Sequence, residues 1–291
     1  MHLDEREFRS FDGTRISYIV AGNPKGPDVV FANGLGGTFV AWRLIAEPLA
    51  EHFRIVCWDY RGTYKSETPR DHRYLDVDSH LHDMRLLFEK ERIREAIIFG
   101  WSMGVQVITA FAGENPDLVR AMIPVNGAYG YVFETAFGRG GKVVLPVLNS
   151  AFIRLGPVLN RSLRLALDQP RLFDAIKLTG LVSKSGRADI FEEVAKGFKG
   201  LDMAVYFKIM EQLSRHTAEP YLSGIKAPTL VIAGECDVMT PVDVAERMVR
   251  EMKDAELFVV PTGTHYTPLE FPELINLRVE KFLRDRRLMP A

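Results

Sequence analysis

Short apolar runs recur along this chain, each closing on a polar residue or a glycine, with helical spacing in between. DVVFANG (28–34), FRIVCWDY (53–60), EAIIFG (95–100) and VRAMIPVNG (119–127) predict buried strands of a mostly parallel sheet. EFRSFDGTRISYIVAG (7–22) predicts a hairpin turning at Asp12-Gly13. Helices are expected at 41–52, 77–91 and 103–116. In the second, Leu81, Met84, Leu87 and Phe88 form one apolar stripe. Strand and helix in alternation predict an α/β architecture, a doubly wound sheet with right-handed crossovers.

The alternation stops at about residue 130. From 130 to 222 no clear strand is legible. VVLPVLNSAFIRLGPVLNRSLRLAL (143–167), PRLFDAIKLTGLVSK (170–184) and residues 189–216 carry helical spacing instead. The pattern then resumes: strands at 228–234 and 255–261, helices at 241–252 and 268–285. The expected organisation is a core of residues 1–129 and 223–291 interrupted by a helical cap, 130–222.

Composition narrows the function classes. The 291 residues are 47% hydrophobic and 26% charged, with a net charge of −1, so nothing points to nucleic acid. The first residues, MHLDEREFRS, lack the apolar core of a secretory signal. No stretch approaches the ~18 uncharged apolar residues of a membrane span. The only cysteines, Cys57 and Cys236, make no disulfide framework, so a reducing cytoplasm is expected. No Cys/His spacing suggests a metal, and no cofactor is implied.

The chemistry is concentrated in Gly100-Trp101-Ser102-Met103-Gly104, a G-x-S-x-G pentapeptide between a predicted strand and a predicted helix. A turn this tight has no room for flanking side chains and holds the serine hydroxyl out as a nucleophile. A serine needs a base. Of seven histidines, His265 lies in the loop TGTHYTPLE that follows the last strand, where reactive groups of a parallel sheet gather. His52, His80 and His82 read as solvated helix faces, and His72 and His216 as residues in polar surroundings. The acid candidate is Asp237 in VIAGECDVMTP, with Glu235 as its rival and helix capping as its bland alternative. In Asn33-Gly34-Leu35-Gly36-Gly37, glycines let the backbone approach a substrate. The Leu35 N–H would there join the Met103 N–H in an oxyanion hole.

These motifs, in the order serine, acid, histidine, resemble the α/β-hydrolase fold superfamily in its capped esterase/lipase-like branch. The resemblance spans nearly the whole chain, the cap by position and composition only. DYRGTYKS (59–66) is similar to the family's D-x-R-G-x-G-x-S stretch, a brace behind the oxyanion loop, except that Tyr64 replaces a glycine. Asn33 stands where the family usually has a histidine, as in some esterases and intracellular polyester depolymerases. A serine at position 102 is unlike the aspartate of haloalkane dehalogenases and epoxide hydrolases.

The resemblance implies a carboxylic ester hydrolase working through an acyl-enzyme on Ser102, and the apolar cap implies a small-molecule ester with an apolar acyl or aryl group. An acyltransferase, a carbon–carbon bond hydrolase and a non-catalytic binding protein remain as alternatives. Trp101, Gly34, Leu148 and Phe152 are candidate pocket residues. Val143, Val144, Leu145, Val147, Leu148, Phe152 and Leu155 are expected mostly to pack the cap onto the core. Arg154, Arg161 and Arg164 are read as a solvated helix face rather than a lipid-binding one.

Overall fold

The computed structural model describes residues 1–136, 141–167 and 188–290. Eight strands form one sheet: β1 (Leu3–Arg9), β2 (Arg15–Gly22), β3 (Asp28–Ala32), β4 (Arg54–Trp58), β5 (Ala96–Trp101), β6 (Val119–Val125), β7 (Thr229–Gly234) and β8 (Ala255–Val260). Their spatial order is β1-β2-β4-β3-β5-β6-β7-β8. The hairpin partners β1 and β2 are antiparallel, as is β2 to β4, and every other pairing is parallel. This is the α/β-hydrolase fold that the pattern and the resemblance predict.

Strand pleating splits the core in two. Ile98 of β5 faces Leu81, Met84 and Phe88 of α2 (Val77–Glu91) and Phe111 of α3 (Met103–Glu114). Ile97 and Phe99 face Trp42 and Ile45 of α1 (Phe39–Leu49) on the other side. The helix expected at 77–91 begins where Asp76 caps the Ser79 N–H and ends at Arg92 in a left-handed conformation.

The stretch Asp59–Ser66 is a buried brace. Arg61, fully buried, makes a bidentate pair with Asp83 of α2 at 2.7 and 2.6 Å and also donates to Ser10, Asp12 and the Tyr74 carbonyl. It thereby ties the hairpin turn to α2. Arg61→Ala would strand the Asp83 carboxylate in the interior, an error that typically costs ~3–5 kcal/mol. An unfolding free energy lower by about that amount, read from the denaturant midpoint and slope, is the expected result.

His80 corrects the reading of its segment. It lies on the inner face of α2, with no exposed surface, its ring edge-on to Tyr60 at 4.7 Å. Burial drives its pKa well down, so it is neutral. The helical spacing was legible, but histidine is amphipathic enough to occupy either face.

Between β6 and β7 lie α4 (Val132–Thr135), α5 (Gly141–Arg154), α6 (Gly156–Leu167), α7 (Ala188–Gly197) and α8 (Met203–Arg215). The helix expected at 170–184 falls outside the described residues. Residues 189–216 are two helices: α7 is followed by a single 3-10 turn at Phe198–Gly200, and Asp202 caps the restart at α8. An isolated antiparallel bridge, Gly130 to Thr217, pins the ends of this helical stretch together.

Val143, Val144, Val147, Leu148 and Leu155 do not pack as expected. All are exposed; of that set Leu145 and Phe152 are turned inward, and Leu148, though exposed, also edges the cavity. The buried side of α5 is made instead by Gly141 and Asn149. The C-terminal pattern also breaks in two, α10 (Thr267–Glu270) and α11 (Pro272–Asp285), at Phe271, where a following proline disfavours helical backbone. Among the described residues no single helix is long and apolar enough to cross a membrane.

Candidate active site

Ser102 occupies the one-residue turn between β5 and α3, at φ +55° and ψ −116°. An L-residue held there stores roughly 1–3 kcal/mol of strain. A Cβ on Gly100 would lie 2.5 Å from the Gly104 carbonyl oxygen, and one on Gly104 would lie 2.3 Å from that of Ala32. Both positions therefore require glycine. The Ser102 N–H is anchored to the Val125 carbonyl of β6 at 3.1 Å.

The three predicted side chains meet here. His265, in the loop after β8, places Nε2 2.9 Å from Ser102 Oγ and Nδ1 2.9 Å from Asp237 Oδ2. Both His265 and Asp237 are buried. Asp237 accepts from the Met239 and Thr240 N–H groups at Oδ1, and from Thr240 Oγ1 and Asn126 Nδ2 at Oδ2. Burial pushes this carboxyl up, but the hydrogen bonds from His265 and Thr240 outweigh burial and hold it at about 2. Asp237 does not cap the following helix, α9 (Val242–Glu251); Pro241 occupies that position. The rival Glu235 instead accepts from the Thr262 N–H at 2.9 Å, on the outside of the loop.

Two supporting residues, Asn126 and Glu270, escaped the sequence reading, and a third, Tyr64, stood out there only as a departure from the family's glycine. Asn126, at φ +43°, donates to Asp237 and to the Thr264 carbonyl, linking the acid and histidine loops. Its only signal was Asn-Gly at a strand end, a common positive-φ pair. Glu270 accepts from Thr264 N and Oγ1 at 2.8 and 2.7 Å and so fixes the histidine loop from below. Tyr64 donates its hydroxyl to the Gly36 carbonyl in the glycine loop. At φ +46° Tyr64 adopts the left-handed backbone that a glycine would accept without strain.

Trp101 both lines the pocket and packs beneath it. Its indole Nε1 donates to the His265 carbonyl at 2.9 Å. Its ring lies against the glycine loop, where a Cβ on Gly34 would come within 3.0 Å. Asn33 is fully buried and donates to the Trp58 carbonyl at 2.7 Å, while Cys57 Sγ donates to its Oδ1. The asparagine thus fastens the loop to β4. Met103 opens α3, so its N–H has no acceptor within the helix. Among the described residues the Leu35 N–H has no acceptor either.

The serine faces a cavity of about 210 Å³. Gly34, Leu35, Leu148, Phe152, Phe207 and Met210 are among its walls. No Asp, Glu, Lys or Arg lines it among the described residues. Nor is any group of three His, Cys, Asp or Glu side chains there placed to hold a metal ion. The site can therefore offer a nucleophile, a base and backbone dipoles to a neutral, apolar molecule.

The sequence profile of the family described as alpha/beta hydrolase fold matches residues 27–272. Protein ABHD8 of Bos taurus is 25% identical over 88% of this chain and 56% of its own length. The chain thus spans little more than half of that relative. A putative carbamate hydrolase, RutD, of Rhizobium rhizogenes is 23% identical over 90% of this chain and 95% of its own. A solved membrane phospholipase A superposes with a TM-score of 0.77 at 22% identity, covering 98% of this chain and 87% of that one.

Proposed function

We propose that this chain, which belongs to the alpha/beta hydrolase fold family, is a serine hydrolase that cleaves carboxylic esters of small apolar acids. The observation that carries the reading is the Ser102–His265–Asp237 hydrogen-bond chain at the mouth of an apolar cavity.

In this reading His265 Nε2 takes the proton of Ser102 Oγ as the oxygen attacks the ester carbonyl. Asp237, held ionised, fixes the imidazole with Nδ1 protonated and stabilises its cation. The Leu35 and Met103 N–H groups receive the developing oxyanion. Such a donor is typically worth ~3 kcal/mol in the transition state. Collapse expels the alcohol, protonated by His265. Water, deprotonated by the same nitrogen, then attacks the acyl-enzyme and releases the acid. The described helices between β6 and β7, α4 to α8, act as a lid over the core, shielding these charges from water and setting the acyl pocket.

The cavity size predicts the acyl preference. At about 210 Å³ it is below the ~300 Å³ at which drug-sized ligand pockets begin. Across p-nitrophenyl esters from acetate to palmitate, kcat/KM is expected to peak at short or medium chains and fall for palmitate. A flat profile, or none at all with acyl acceptors turning over instead, would displace the hydrolase reading.

Tyr64 supplies a second test. Its bond to the Gly36 carbonyl holds the loop that carries the Leu35 N–H. Tyr64→Phe removes that bond and leaves the ring. Misplaced groups of this kind cost up to ~100-fold. The expected result is a fall in kcat on the order of ten-fold at nearly constant KM.

A further inference from the structure

α5 is apolar on two opposite sides. Towards the protein it presents Leu145 and Phe152 to the cavity, and Asn149 donates to the Phe207 carbonyl of α8 at 2.9 Å. Towards solvent it presents Val143, Val144, Val147 and Leu148, a stripe at helical spacing. Val143 is 72% exposed and Val147 68%. The stripe runs on through Leu155 at the joint to Val158 of α6, which is 62% exposed. A helix apolar on both sides belongs between two layers, and here one layer is water.

The charges that α5 and α6 themselves carry are of one sign. Residues 141–167 contain Lys142, Arg154, Arg161 and Arg164 and no aspartate or glutamate. Lys142 pairs with Glu134. The three arginines are exposed and make no ion pair among the described residues. α5 and α6 meet at 90°, so the two helices span a surface in two directions rather than along one axis. Leu148 is both exposed and part of the cavity wall, which makes the outer face continuous with the site.

We propose that this face docks on an anionic lipid surface, with Val143, Val147, Leu155 and Val158 at the acyl boundary and Arg154, Arg161 and Arg164 among the phosphates. Charge decides between the possible occupants. A second copy of the chain, packed face to face by two-fold symmetry, would oppose the same arginines. Anionic headgroups neutralise them, and arginine stems reach outward from the apolar layer without burying their charge.

Vesicle sedimentation tests this without turnover, so it stands or falls apart from the hydrolase reading. The protein is spun with vesicles of phosphatidylcholine alone, or of phosphatidylcholine and phosphatidylglycerol in equal parts. Partitioning at least about ten-fold stronger on the anionic vesicles, weakening with salt, is expected. Val143→Ser with Val147→Ser should lose about ten-fold of that binding. It should leave hydrolysis of a soluble ester unchanged, because neither residue lines the cavity. Arg154→Gln with Arg161→Gln and Arg164→Gln should lose on the order of 100-fold, at about five-fold per charge. No vesicle binding by the wild type overturns the proposal, as does equal binding by the valine variant. A salt-insensitive dimer abolished by Val147→Ser, with no vesicle binding, would assign the face to a second copy.

Discussion

Ser102→Ala is expected to abolish turnover of the best ester of the panel, lowering kcat by about 10⁴–10⁶-fold with little change in KM. The reason is local. Removing Oγ leaves His265 Nε2 with no proton to accept at 2.9 Å, and water in its place lacks the aim that the strained turn gives the hydroxyl. The fold should not suffer. The side chain fills no core position, and relief of strain at φ +55° is not available to alanine any more than to serine. A fluorophosphonate should label the wild type and not the variant, with equal thermal midpoints. A Ser102→Ala variant that still turned over esters would remove Ser102 from the mechanism.

Asp237→Asn carries the second largest expected loss, about 10³–10⁴-fold in kcat. The carboxylate is surrounded by donors: His265 Nδ1, Asn126 Nδ2, Thr240 Oγ1 and two backbone N–H groups. An amide keeps one acceptor oxygen for these and turns an NH2 group against the rest. If that NH2 faces His265, Nδ1 becomes the acceptor and Nε2 carries the proton, the wrong tautomer for a base towards Ser102. The negative charge that stabilises the imidazolium is lost as well. Glu235→Gln is the control. Its carboxylate supports the Thr262 N–H and points away from His265, so kcat should hold. The opposite pattern would make Glu235 the acid.

The Asp237 carboxyl also adds a pH-dependent term to stability. Its folded pKa, about 2, lies below the ordinary 3.8, so its contribution is complete above the ordinary value and is lost as pH falls towards 2.

His80 was placed outside because its helix phase was judged from residue type, and histidine fits either environment. The valines of α5 were placed inside because they are apolar, although burial depends on what packs against a helix and not on its composition. Asn126 and the role of Tyr64 are not legible because their partners, Asp237 and Gly36, lie 111 and 28 residues away, and Glu270, six residues from Thr264, because no turn signature marks a glutamate that reaches back to its own loop.

What the sequence determined by itself is everything governed by short-range pattern and sterics. Strand and helix periods dictated the α/β architecture: β2 to β8 fall where their apolar runs predicted, while β1 (Leu3–Arg9) begins four residues before the expected hairpin, on a charged, mostly exposed stretch that carries no apolar signal. Gly100, Ser102 and Gly104 announced a turn that admits no other residue at its flanks. Loops at the carboxyl ends of β5, β7 and β8 were marked in the sequence by Ser102, Asp237 and His265, the serine–acid–histidine order that the resemblance leads one to expect. Tertiary structure alone decided which of two carboxylates faces His265, which side of α5 meets water, and which hydroxyl steadies the glycine loop. Those outcomes rest on contacts between elements far apart in the chain, where a fraction of an ångström separates a hydrogen bond from none, and no local pattern encodes that distance.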